Sequence, residues 1–226
     1  MQRSSDNRDY TGMKRPLLLG SKGCGNAIVE CAFALGGVKF DYEEVDYAPD
    51  SPTRPRLLEV NPLGQVPTLV LPDGTVMTES LAMIHYANDV APKARLVPPP
   101  GDPLRPVFYR WAVFIVAAVY PTFTYGDDPK KWVADAKGAK QLRESTDAHR
   151  ERMWLQLEEV AGAPWFLGKQ RTAIDLYIAA MTHWRPGRKW FEANTPKIVA
   201  IASKASALPK VGPVVKKSFG WLYPPG

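Results

Sequence analysis

The spacing of apolar and polar residues changes character along the chain, and each change marks a different kind of element. Arg15 to Gly20 is a short apolar run closed by glycine, the pattern of a buried first strand. After the loop Ser21 to Asn26, the small and apolar stretch Ala27 to Leu35 predicts a packed helix that stops at Gly36-Gly37. Val38 to Tyr47 alternates and carries Glu43, Glu44 and Asp46, which predicts a second strand with one wet face. Leu57 to Val60 closes a short helix. Thr68 to Leu71 is then a β-branched apolar strand, Pro72 to Gly74 a tight reversal, and the next short apolar run a partner strand. Leu81 to Asp89 follows as a helix opened by Thr78 to Ser80. Pro67 belongs at the first residue of its strand, where a cis bond in the turn fits a residue without an amide donor.

Beyond Ala91 to Pro103, a proline-rich connection, the strand signal stops. Leu104 to Tyr120 is apolar on almost every face and predicts a buried central helix that Pro121 stops or kinks. In Lys137 to Val160, the spacing of Leu142, Thr146, His149, Met153, Leu157 and Val160 predicts an amphipathic helix with His149 on its inner face. Thr172 and Asp175 form a variant capping box at the start of another helix. Asn194-Thr195-Pro196 starts a helix over Lys197 to Ala207, and the tail after Pro209 reads as short and irregular. The domains expected are a flexible tail 1–14, an α/β domain 15–92, a linker 93–103 and an all-helical domain 104–226.

Composition narrows the function. The chain has 226 residues and the aromatic content of a globular protein with a sizeable core. The first fourteen residues are polar, without the apolar centre of a secretion signal, and the apolar run Trp111 to Tyr120 is about half of the roughly 20 residues that span a bilayer. The expectation is therefore a soluble, cytoplasmic protein without membrane partners. Residues 1–92 hold 8 Lys and Arg against 12 Asp and Glu, whereas residues 93–226 hold 21 against 11. Such asymmetry favours contacts between unlike halves of two copies, or steers an anionic ligand. No dense basic run interleaved with aromatics points to nucleic acid. Cys24 and Cys31, seven residues apart, would stand about 10 Å apart along a helix, too far for a disulfide. With no CxxC and three scattered histidines, no metal is expected.

The candidate chemistry concentrates in NPLGQVPTLVLPDGTVMTES, residues 61–80. A proline at 67 leaves the backbone of Gln65 and Val66 free to pair with something other than the sheet. Glu79 and Ser80 open a helix whose free amides favour a carboxylate. Together they suit a short peptide with an acid group. This string resembles the glutathione-binding segment of soluble glutathione transferases, and the β-α-β, helix, β-β, α order over residues 15–92 resembles their thioredoxin-like half. The resemblance implies an α/β thioredoxin-like domain followed by an all-α domain, glutathione as cosubstrate, and a homodimer. It implies that Val66 pairs with the cysteinyl unit of glutathione, beside Gln65 and a cis Pro67, and that Glu79 and Ser80 hold the γ-glutamyl end.

The family activates a thiol at the end of the first strand or the start of the first helix, where this chain has Ser21, Cys24 and Asn26. Cys24, between glycines at a helix N-terminus with Lys22 near, suits a thiolate that exchanges with disulfides. Ser21 suits a hydroxyl donor that holds the thiolate of glutathione for attack on an electrophile, and Asn26 is a third donor. Tyrosine is absent from this segment, a departure from the tyrosine-using classes. Tyr120, Phe123 and Tyr125 match the region that lines the electrophile pocket between the family's two halves. The second substrate is an electrophile, a peroxide or a disulfide. Two alternatives stand beside this reading. Gly23 and Gly25 with Glu43 and Glu44 partly imitate a dinucleotide fingerprint, but Ile28 holds the third glycine position. A non-catalytic binding or assembly module on the same fold is the other.

Overall fold

The computed structural model describes residues 13–222, so most of the expected N-terminal tail lies outside the described residues. The described residues form two compact units, 13–96 with 208–222, and 97–207.

In the first unit, β1 (Leu17–Gly20), α1 (Asn26–Gly36) and β2 (Asp41–Glu44) form a β-α-β turn, with β2 parallel to β1. Next come α2 (Arg54–Val60), β3 (Thr68–Val70), β4 (Val76–Met77) and α3 (Ser80–Val90). The sheet order is β2-β1-β3-β4, with β3 antiparallel to β1 and β4 antiparallel to β3. The period-2 pattern decides the faces. Leu19 and Val70 point to one side, where they close a core with Val45, Leu57 and Val60. Leu18 and Leu69, opposite each other in register, point to the other and are fully buried. There α1, which touches β1 and packs along α3, covers them. Gly37 ends α1 in the left-handed conformation, φ 68°, as the paired glycines predict.

The second unit is helical: α4 (Leu104–Phe114), α5 (Pro121–Asp127), α6 (Ala136–Val160), α7 (Ala173–Met181), α8 (Arg188–Asn194) and α9 (Pro196–Ser206). Every residue of α7 is buried, and α4 and α9 pack against it. Its capping box is present, with Asp175 accepting the N–H of Thr172 at 2.7 Å and that of Phe166 at 2.8 Å.

Several expectations need correcting. Of the two outcomes expected at Pro121, a stop or a kink, the stop does not occur. Pro121 lacks the amide that would reach Ala117, and the backbone absorbs this as a π turn over Ile115–Val119, with Tyr120 N–H bonding to the Ile115 carbonyl at 3.0 Å. Helical backbone thus runs continuously from Leu104 to Asp127, 24 residues, long and apolar enough by length and composition to span a bilayer, a property shared by core helices of soluble proteins. On α6, Met153 and Leu157 are buried as the spacing predicts, but His149 and Val160 are exposed, and Arg150 and Trp154 are buried in their stead. Arg150 is tolerated there because Thr122 and Asp147 bond its guanidinium and Phe123 lies under it, 4.3 Å from ring centre to Cζ. The tail is not irregular. Gly212–Phe219 forms α10, which buries Val215, Ser218 and Phe219 and packs on α1, joining the first unit rather than the helical one.

Candidate functional site

The turn after β1 is built by glycine and asparagine. Cys24 N–H bonds to the Ser21 carbonyl at 3.3 Å, and Gly23 takes φ 76°, the left-handed position such a turn needs. Ala27 and Ile28 N–H then bond to the carbonyls of Cys24 and Gly25, so Cys24 immediately precedes the first turn of α1. Cys24 is half-buried and outside any disulfide, and its thiol faces the Lys22 carbonyl at 3.7 Å. The Lys22 ammonium lies 3.5 Å from Glu44, an exposed pair. Ser21 is half-buried at the mouth of the turn and gives its N–H to Asn26 Oδ1 at 3.0 Å. Asn26 itself is 1% exposed, with Nδ2 donating to Glu30 at 2.9 Å, so it holds the turn from behind. Cys31 is buried, and burial followed by the charge of Glu30 pushes its thiol far up, away from nucleophilic use.

The second part of the site is the segment before β3 and after β4. The Val66–Pro67 bond is cis. Gln65 is exposed and Val66 half-buried against the core of the first unit. Two buried polar residues fix this strip. Asn61 donates to the Gln65 carbonyl at 3.2 Å and to Thr68 Oγ1 at 3.0 Å, while Thr68 donates to the Gln65 carbonyl at 2.8 Å. Gly64, at φ 62°, makes the bend. Beyond β4, Glu79 is exposed and adopts φ 65°, ψ 111°, a strained backbone for a residue with a Cβ. Ser80 follows as the first residue of α3. Strain of this kind persists where the surroundings over-determine it, and ligand clamps are one such setting.

The three aromatics expected to line a substrate pocket have different surroundings. Tyr120 meets Trp184 edge-on at 5.4 Å and Tyr177 at 6.5 Å, and Phe123 meets Trp184 at 5.5 Å, all inside the helical unit. Tyr125 is 43% exposed and stacks edge-on against Trp132 at 4.8 Å.

Four residues escaped the sequence reading. Asn61 and Thr68 carried a signal, two polar residues flanking an apolar strand start, but their role depends on the bend between them. Tyr42, on β2, lies close enough to Cys24 that a charge there would push its hydroxyl upward, after burial, Glu30 and Glu44. Its ring faces the Lys217 ammonium, 3.8 Å from the ring centre. Lys217 of α10 pairs with Glu30 at 3.0 Å.

Comparison with known proteins bears on the same residues. The description "Glutathione S-transferase, N-terminal domain" matches residues 28–90. An uncharacterized GST-like protein of Escherichia coli K12, YncG, is 35% identical over 201 residues, covering 88% of this chain and 96% of its own. The glutathione S-transferase GstA of Escherichia coli O157:H7 is 27% identical over 157 residues, 67% of this chain and 73% of its own. Among solved structures, a glutathione transferase homologue from Sulfitobacter with bound glutathione superposes with a TM-score of 0.81 at 25% identity, covering 92% of this chain and all of the other.

Proposed function

We propose that this chain, which belongs to the soluble glutathione S-transferase family, binds glutathione on its first unit and uses Cys24 for thiol exchange. Gln65 and Val66 supply backbone pairing for the cysteinyl unit of glutathione, with Pro67 ending that strip. Glu79 and Ser80 receive the γ-glutamyl end. The Glu79 side chain accepts from its ammonium, and the N-terminus of α3 suits its carboxylate. The observation that carries the reading is the backbone of Glu79, held at φ 65° beside a helix start with its side chain exposed.

Cys24 precedes the first turn of α1 on a glycine-shaped turn, and it reacts as a thiolate. It attacks the glutathione sulfur of a mixed disulfide, forming a new S–S bond to glutathione and expelling the other thiol. A second glutathione thiolate then attacks the Cys24 mixed disulfide. Glutathione disulfide leaves and the Cys24 thiolate is restored. Ser21, at the mouth of the turn, is the hydroxyl that would hold the glutathione thiolate for conjugation to an electrophile. Tyr120, Phe123 and Tyr125 are proposed as the aromatic lining for the second substrate.

The test is an activity panel with glutathione on wild type, Cys24→Ala and Ser21→Ala, using one mixed disulfide, one aromatic electrophile and one organic peroxide. Loss of disulfide exchange in Cys24→Ala alone supports the thiol exchange reading. Retained exchange in Cys24→Ala with conjugation lost in Ser21→Ala replaces it by a serine-type transferase.

A further inference from the structure

Glu30 sits on α1 with 4% exposure, and a carboxylate so placed needs partners to offset the water it has lost. It has two. One oxygen accepts from Asn26 Nδ2 at 2.9 Å, and the other faces the ammonium of Lys217 at 3.0 Å. Lys217 lies 187 residues further along the chain, on α10, and its ammonium also stands 3.8 Å from the ring centre of Tyr42 on β2. Asn26 passes the constraint on, because its Oδ1 accepts the Ser21 N–H at 3.0 Å. It has no room to swing toward the strand. A Cβ on Gly20 would lie 2.5 Å from its Cγ. Three polar contacts therefore run from the C-terminal helix to the backbone of the turn that carries Ser21 and Cys24.

We propose that Lys217 and Glu30 are positioning residues for this turn, so that the docking of α10 sets the reactivity of Cys24. The inference rests on the reading of Cys24 as the reacting thiol. While Lys217 is in place, it holds the Glu30 carboxylate against Asn26, and this fixes the Asn26 amide with its NH2 toward Glu30 and its oxygen toward Ser21. Without Lys217, Glu30 is a buried charge with one neutral partner. It turns toward water and releases Asn26. The acceptor that orients the Asn26 amide is then gone, and the Cys24 thiolate is left less well placed.

The experiment follows alkylation of Cys24 by iodoacetamide at one pH, with the labelled peptide assigned by mass spectrometry and thermal melting measured in parallel. Lys217→Met should slow alkylation by about fivefold or more, while Lys217→Arg stays within about twofold of wild type. The double variant Glu30→Gln with Lys217→Met should return to within about twofold, because the new amide oxygen still accepts from Asn26 and no buried charge remains. A merely structural role would lower melting temperature without this recovery of rate. Wild-type alkylation in Lys217→Met, or a double variant as slow as the single one, overturns the proposal. If Lys217→Met does not fold, Glu30→Ala takes its place: losing the acceptor of Asn26 should slow alkylation by about fivefold, and a wild-type rate there overturns the proposal. Calorimetric titration of wild type with glutathione separates the two readings, since absent binding would sink the proposed function while the alkylation rates still report on the relay.

Discussion

Replacing Asp175 by Asn tests the energetics of the helical unit most sharply, because the sign of its pH dependence is fixed by the structure. The carboxylate is fully buried and accepts two backbone N–H groups, from Phe166 and Thr172. Burial is the largest influence on it and raises its pKa from 3.8 to about 6, against the pull of the two amides and Arg171. The folded protein therefore takes up this proton at higher pH than the unfolded chain. The stabilisation is complete below about pH 4, fades as pH rises through 6, and is absent at pH 7.5. A shift of about two units corresponds to about 3 kcal/mol in all, spread over that window. His183 acts in the opposite sense. Burial, then Arg188, lowers its pKa from 6.5 to about 4, so it withdraws stability as pH falls through the same range. In wild type the two oppose each other. Asp175→Asn removes only the favourable part, so between pH 6.5 and 4.5 it should lose about 2 kcal/mol more than wild type does. Urea unfolding at four pH values, read by tryptophan fluorescence, measures this. At pH 7.5 the variant exchanges one acceptor for a donor against a buried N–H but also removes a buried charge, and should lie within about 2 kcal/mol of wild type. Parallel pH profiles for the two proteins would refute the reasoning.

Gly20→Ala should destabilise the first unit by about 1–3 kcal/mol and loosen the Ser21 turn, since the added methyl overlaps the Asn26 side chain; wild-type stability in a chemical denaturation would contradict the packing described. Asn61→Ala leaves the Gln65 carbonyl and Thr68 with fewer partners and should cost about 1–3 kcal/mol, with weaker glutathione binding by calorimetry; an unaltered melting temperature counts against its bracing role. Glu79→Gly relieves a strained φ and should hold or raise the melting temperature while lowering glutathione affinity, whereas a stability loss with affinity intact would show that the strain serves folding instead. Glu79→Ala and Ser80→Ala should each weaken glutathione binding by a few kcal/mol at most, roughly the worth of a charged hydrogen bond, and unchanged affinity in both removes the assignment.

The local code of this protein is legible in its sequence where one periodicity or one special residue decides the backbone. The β-α-β order, the glycine stop of α1, the proline at the start of β3, the helix opening near Glu79 and the capping box of α7 all depend on contacts within a few residues, so propensity and turn chemistry suffice to read them. What only the tertiary structure decided are choices made between distant segments. Whether Pro121 breaks a helix depends on whether its neighbours can hold a π turn together. Arg150 can face inward on α6 because Thr122, Asp147 and Phe123 arrive from elsewhere to receive it. The C-terminal segment, with Val211, Val215 and Phe219 at helical spacing, carries its own weak signal, but its place beside α1 depends on long-range packing and on the pairing of Lys217 with Glu30. Desolvation is the common reason. A polar or charged side chain is read as exposed until the fold supplies partners that make its burial tolerable, and sequence spacing does not record which partners those are.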